Sequence, residues 1–125
     1  LLKGDLAALE GSEPTVIFAP HFVGMDAGWT AITAHLPRRF CGVYAEQLNA
    51  DVDRWMFQGR QRFNNPLAVG KRQGLRAIVS ALRDGLPLYL LPDMDHGERD
   101  AVFVPFFGVT AATVTSLPRL ARLGK

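Results

Sequence analysis

Apolar and polar positions fall into blocks of two alternating kinds along the chain. The first apolar block, Thr15-Val16-Ile17-Phe18-Ala19, is β-branched and aromatic and is closed by Pro20, the mark of a buried strand. From about Ala27 to Leu36 the period becomes helical, with Trp29, Ile32 and Leu36 on one face and Asp26 placed to cap it. A short strand near residues 42–45, a helix from about Asp51 to Arg60 and an Asn64-Asn65-Pro66 turn come next. A helix from about Gly74 to Asp84 is then stopped by Gly85. Leu86-Pro87-Leu88-Tyr89-Leu90-Leu91 reads as another apolar strand, ended by Pro92 and a polar loop over 93–100. Ala101-Val102-Phe103-Val104 reads as a strand leading into Pro105-Phe106-Phe107-Gly108, and residues 113–123 as a helix despite Pro118. This alternation predicts an α/β fold, a layered and largely parallel sheet flanked by helices, with the 101–104 strand free to pair antiparallel.

Composition sharpens the picture only in places. With 125 residues, 48% of them hydrophobic, the chain is long enough for one domain with a real core. It lacks an initiator Met and stops while an apolar helix pattern is running, so it reads as a single partial domain over 1–125, an excerpt of a longer protein. No stretch approaches the roughly 18 to 20 apolar residues of a spanning helix, and no signal peptide pattern is present. The lone Cys41 excludes an internal disulfide and is expected as a small buried residue opening a strand. The net charge of +2 hides an asymmetry, because residues 54–83 carry Arg54, Arg60, Arg62, Lys71, Arg72, Arg76 and Arg83 and no acidic residue. Such a block suits phosphate groups, an acidic partner or an anionic membrane surface, or is simply a solvated helix face. It lacks a stacking pattern of interleaved aromatics, which argues against nucleic acid.

The candidate chemistry begins right after the first strand, at His21-Phe22-Val23-Gly24-Met25-Asp26. A neutral imidazole can take the proton of a hydroxyl as its oxygen attacks an acyl group, while a carboxylate on the other ring nitrogen fixes the tautomer. Strand ends of α/β sheets are where ligands meet catalytic loops. The spacing alone is weak, and an Asp opening a helix needs no catalytic purpose. Asp93-Met94-Asp95-His96 also offers metal-ligand types, the basis of a rival reading as a metal-dependent hydrolase.

Four features stand in a fixed order: the strand followed by HxxxxD (His21, Asp26), Gly59-Arg60-Gln61-Arg62, the strand end Leu91-Pro92-Asp93-Met94-Asp95, and Val102-Phe103-Val104-Pro105-Phe106-Phe107-Gly108. That order resembles the late acyltransferases of lipid A biosynthesis, within the wider glycerolipid acyltransferase superfamily, over nearly the whole chain. The resemblance implies transfer of a fatty acyl chain from acyl carrier protein to a hydroxyl of a lipid A precursor at the cytoplasmic face of the cell inner membrane. It implies His21 as base with Asp26 as its partner, and no cofactor or metal. By the same carry-over Arg60 and Arg62 lie near phosphates of donor or acceptor, Asp93 is a site residue, and Phe106 and Phe107 line the acyl chain. Thr113 falls where the family carries a Thr before its next helix, an N-cap position. Asp26 stands where several lipid A enzymes carry Glu, and the anchor and final elements of the family lie outside this chain. Acylation of a lysophospholipid or an ornithine lipid is the nearest competing reading, and a non-catalytic lipid- or carrier-binding module is another.

Overall fold

A computed structural model describes residues 2–94, 97 and 101–125. Four short strands, β1 (Val16–Phe18), β2 (Cys41–Tyr44), β3 (Leu67–Gly70) and β4 (Leu88–Leu90), form one sheet in the order β1-β4-β2-β3, every neighbouring pair parallel. Helices α1 (Ala7–Glu10), α2 (Met25–His35), α3 (Ala50–Arg60), α4 (Gly74–Arg83) and α5 (Ser116–Leu123) surround it, and β5 (Ala101–Phe106) and β6 (Val109–Val114) make a separate antiparallel hairpin. The α/β fold, with its sheet flanked by helices, is the one the alternating blocks predict.

The layering follows from the two-residue period of strands. Val16, Cys41, Val43, Leu88 and Leu90 face one way, into a core closed by Ala81 and Leu82 of α4 and Leu120 of α5. Ile17 and Tyr89 face the other way, against Trp29 and Ile32 of α2, Leu36 just after it, and Phe40. Cys41 is fully buried at the start of β2, as its apolar neighbours suggest, and burial pushes its thiol up to about 11 despite nearby Arg39. One close approach depends on glycine: a Cβ added at Gly42 would lie 2.9 Å from the Trp29 ring, so the indole lies directly over β2.

Two expectations need correction, and one strand was not expected. Asp26 does not cap α2; Gly24 does, with φ +89°, so the helix opens two residues earlier and Asp26 sits in its first turn, where a carboxylate still favours the helix dipole. Leu67–Gly70 is a strand, too short to show a period after the Asn64-Asn65-Pro66 turn. Residues 109–114 pair with β5, so the last helix begins only at Ser116, and Thr113 lies opposite Val102 instead of capping a helix; Thr115 holds that position. The 101–104 strand does pair antiparallel, as its sequence left open; its partner is β6, reached through a two-residue turn in which Phe107 and Gly108 have φ of 48° and 80°. The rival metal reading falls largely on Asp95 and His96, which lie outside the described residues. Among the described residues no cluster of His, Cys, Asp and Glu is placed to hold a metal ion.

Candidate active site

In a parallel sheet every strand delivers its following loop to the same end, and a cavity of about 720 Å³ opens there. It is lined from β1 by His21, from β2 by Ala45 and Gln47, from β3 by Lys71 and from β4 by Leu91 and Pro92. Met25, Asp26 and Trp29 of α2, Met56 and Arg60 of α3, and Arg119 of α5 complete its wall. Its volume falls within the roughly 300–1,000 Å³ of ordinary ligand pockets.

Register builds the central contact. Phe18 of β1 lies opposite Leu90 of β4, and Ala19 N–H donates to the Leu90 carbonyl at 2.8 Å, extending the pairing past the strand ends. Three residues beyond that pair, the same alignment brings His21 to Asp93. The carboxylate accepts twice from His21, through Oδ2 from the backbone N–H and through Oδ1 at ring Nδ1, both at 2.7 Å. With the Nδ1 proton directed at Asp93, the neutral ring carries its lone pair on Nε2. Burial raises the Asp93 carboxyl, but the hydrogen bonds from the His21 backbone and ring outweigh it and hold the group below its ordinary value.

Asp26, the partner expected from the HxxxxD spacing, is engaged elsewhere. Arg60 Nε and Nη2 reach its Oδ1 at 3.3 and 3.2 Å. The physical reason is the packing of α2 on α3. Trp29, one turn after Asp26, donates Nε1–H to the Arg60 carbonyl at 2.9 Å, which fixes the end of α3 beside the first turn of α2. The pair also lines a second cavity of about 470 Å³ with Trp55 and Arg62, so it forms a wall common to both. Arg62 itself donates Nε–H to the Gly59 carbonyl and stacks over Phe63.

Phe106 and Phe107 line neither cavity. They form the tip of the β5–β6 hairpin, 63% and 93% exposed, with their rings edge to face at 4.6 Å. The apolar wall of the larger cavity comes instead from Trp29, Val43, Tyr44, Leu75, Leu90 and Leu120. Sequence reasoning missed Tyr89, whose ring packs edge to face on Trp29 at 5.5 Å and whose hydroxyl donates to the Met25 carbonyl at 3.2 Å. Burial, then the Asp26 charge, raise that hydroxyl and keep it a donor. Its signal was in the alternation of β4, where Leu88 and Leu90 share one face and Tyr89 must take the other. Lys71 was legible only as a member of the basic block over residues 54–83, and Arg119, outside that block, carried no signal.

The carboxyl end of the parallel sheet thus holds a cavity with a histidine at its edge and a carboxylate on one ring nitrogen of that histidine, an arrangement able to accept a proton from a hydroxyl. The family model for bacterial lipid A biosynthesis acyltransferases matches residues 6–125. A lipid A biosynthesis acyltransferase of Haemophilus influenzae is 36% identical over 101 residues, 81% of this chain and 31% of that protein. A second from the same organism is 33% identical over 123 residues, 97% of this chain and 37% of that protein. A lipid A biosynthesis lauroyltransferase of Escherichia coli K12 is 35% identical over 104 residues, 82% of this chain and 33% of that protein. The chain thus spans about a third of the length of these curated relatives. With a match from residue 6 to residue 125 and three such relatives, the chain belongs to the bacterial lipid A biosynthesis acyltransferase family.

Proposed function

We propose that the protein transfers a fatty acyl group from an acyl thioester, carried by acyl carrier protein, to a hydroxyl of a lipid A precursor. The observation that carries this reading is the 2.7 Å contact between His21 Nδ1 and Asp93 Oδ1 at the edge of the 720 Å³ cavity, in a chain of this family. Nε2 of His21 accepts the proton of the acceptor hydroxyl as its oxygen bonds to the thioester carbonyl carbon. The carbon–sulfur bond then breaks, and the departing thiolate takes the proton back from the imidazolium. Asp93 stabilises that imidazolium and holds the ring in the tautomer that presents a free Nε2. No acyl-enzyme is formed, and neither a cofactor nor a metal takes part. Asp26 and Arg60 close the adjoining wall, and the apolar lining shelters the acyl chain, where each methylene leaving water contributes about 0.8 kcal/mol.

The reaction belongs at the cytoplasmic face of the inner membrane, where donor protein and lipid acceptor meet. Support comes from the hairpin: no charged side chain stands between Asp100 and Arg119, and Val102, Phe103, Phe106, Phe107 and Val109 are all exposed. A two-stranded hairpin with apolar side chains on both faces suits a lipid surface better than water. Among the described residues no helix is long and apolar enough to cross a membrane.

The test is acyl transfer in detergent from acyl-carrier-protein and coenzyme A thioesters to lipid A precursor, with His21→Ala beside the native protein. Transfer lost in the variant, with an unchanged circular dichroism spectrum, is the expected result. Near-normal turnover by His21→Ala would overturn the mechanism. Activity confined to a lysophospholipid or an ornithine lipid would replace the acceptor and keep the chemistry.

A further inference from the structure

The cations that line the main cavity are not in the same state. Arg60 is neutralised by Asp26, and Arg62 lies on the smaller cavity with its Nε–H given to a backbone carbonyl. Lys71 and Arg119 differ: both line the 720 Å³ cavity, both are exposed, and among the described residues neither side chain has a carboxylate within ion-pair distance. The Glu46 carboxylate is taken by Arg72, through its backbone N–H at 3.3 Å and its Nε at 3.7 Å. Two cations without an ion-pair partner among the described residues therefore line one cavity whose remaining wall is largely apolar. In such a setting their field reaches further than on an open surface, and an anion entering the cavity meets it at close range.

Their placement in the fold bears on what that anion is. Lys71 follows β3 at one edge of the sheet, and His21 follows β1 at the other. Three strand spacings separate β1 from β3 in the order β1-β4-β2-β3, a distance of about 14 Å. A carboxylate or thioester reacting at His21 does not reach that far, but a ligand with its anionic group well removed from its reacting group does. Arg119 stands in the opening turns of α5, on the element that packs against α4 and β1, and so meets the cavity from outside the sheet. Its planar guanidinium presents paired donors suited to phosphoryl oxygens, and the Lys71 ammonium adds a compact point charge.

We propose that Lys71 and Arg119 are the phosphate-recognising cations of the cavity, and that they hold a phosphate ester of the substrate remote from the reacting bond. This rests on the acyl-transfer reading for the identity of the ligand, not for the charge of the site. The phosphate ester has two chemical sources, the phosphopantetheine arm of the donor or a phosphoryl group on the glycolipid acceptor.

The experiment measures equilibrium binding by the native protein in detergent of four probes: an acyl-phosphopantetheine and its dephosphorylated counterpart, and a phosphorylated disaccharide glycolipid and its dephosphorylated counterpart. The native protein is expected to prefer one phosphorylated probe over its partner, more weakly as salt rises. Lys71→Ala and Arg119→Ala are each expected to weaken that probe roughly tenfold and leave its dephosphorylated partner unchanged. Which pair shows the preference names the source. Lys71→Gln and Arg119→Gln, with melting curves beside them, keep the side-chain length without the charge. Equal binding of phosphorylated and dephosphorylated probes by the native protein, or a preference that survives in the double variant, would overturn the proposal. The two readings separate cleanly: phosphate-dependent binding without turnover on any acceptor leaves the cation site standing and removes acyl transfer, whereas turnover with an unchanged KM in both variants does the reverse.

Discussion

Replacing Asp93 with Asn keeps the shape of the side chain and removes its charge, which makes it the sharpest probe of the site. In the native protein the carboxylate bonds the ring and the backbone of His21, both at 2.7 Å. A hydrogen bond to a charged group contributes about 1.5–3 kcal/mol. The His21 and Asp93 side chains are 39% and 31% exposed, so solvent screening places the contact near the lower end, about 1.5–2 kcal/mol. If the imidazolium loses that much in the transition state, kcat falls roughly 10- to 30-fold. The amide adds a second effect when its NH2 turns to the ring, because it then favours the tautomer with the proton on Nε2 and blocks the base. The combined expectation is a loss of roughly 10- to 100-fold in kcat with a smaller change in KM, read from steady-state transfer across a pH series. Nitrogen chemical shifts of His21 report the tautomer directly and are expected to change in Asp93→Asn. Asp93→Asn turning over within threefold of the native protein, while Asp26→Asn abolishes transfer, would refute the pairing and return the role to Asp26.

Three other outcomes follow from the same geometry. Gly42→Ala drives a Cβ into the Trp29 ring, which its bond to Arg60 and its packing on Tyr89 hold in place, so denaturant unfolding is expected to show a loss of about 1–3 kcal/mol. The Cys41 thiol, buried and raised to about 11, is expected to resist iodoacetamide at pH 8 in the folded protein and to react within minutes once denaturant is added; fast labelling of the native state would contradict its burial. The Asp93 carboxyl lies below its ordinary value in the folded state, so the stability it contributes is present above the unfolded-state pKa of about 3.9 and is lost as pH falls through the lowered value. Acid unfolding followed by circular dichroism is accordingly expected to show a shallower loss below pH 4 in Asp93→Asn than in the native protein.

Much of the fold could be read from local pattern. The β-branched runs at 15–19 and 86–91, the helical face of Trp29, Ile32 and Leu36, and the glycine after α4 each carry their own short-range physics, and each appears in the structure close to where the pattern puts it. The four residues of β3 escaped because a strand that short shows no period, and β6 escaped because its last two residues, Thr113 and Val114, run into the helical pattern that follows. The family was legible too, because it is written in runs of neighbouring residues.

Local pattern therefore dictates the layers, the place of His21 at a strand end and the presence of carboxylates and cations in the chain around it. Which of them meet depends on long-range packing. Asp26 stands five positions from His21 and Asp93 seventy-two, yet the ring is bonded to Asp93, because β1 and β4 are neighbours in register and their ends carry both residues to one point. The same long-range packing gives Asp26 to Arg60 through the Trp29 anchor, and leaves Lys71 and Arg119 lining the cavity with no carboxylate of the described residues within ion-pair distance. Strand order and helix packing are settled by burying apolar faces across the whole chain, so contacts that depend on them cannot be read from spacing along it.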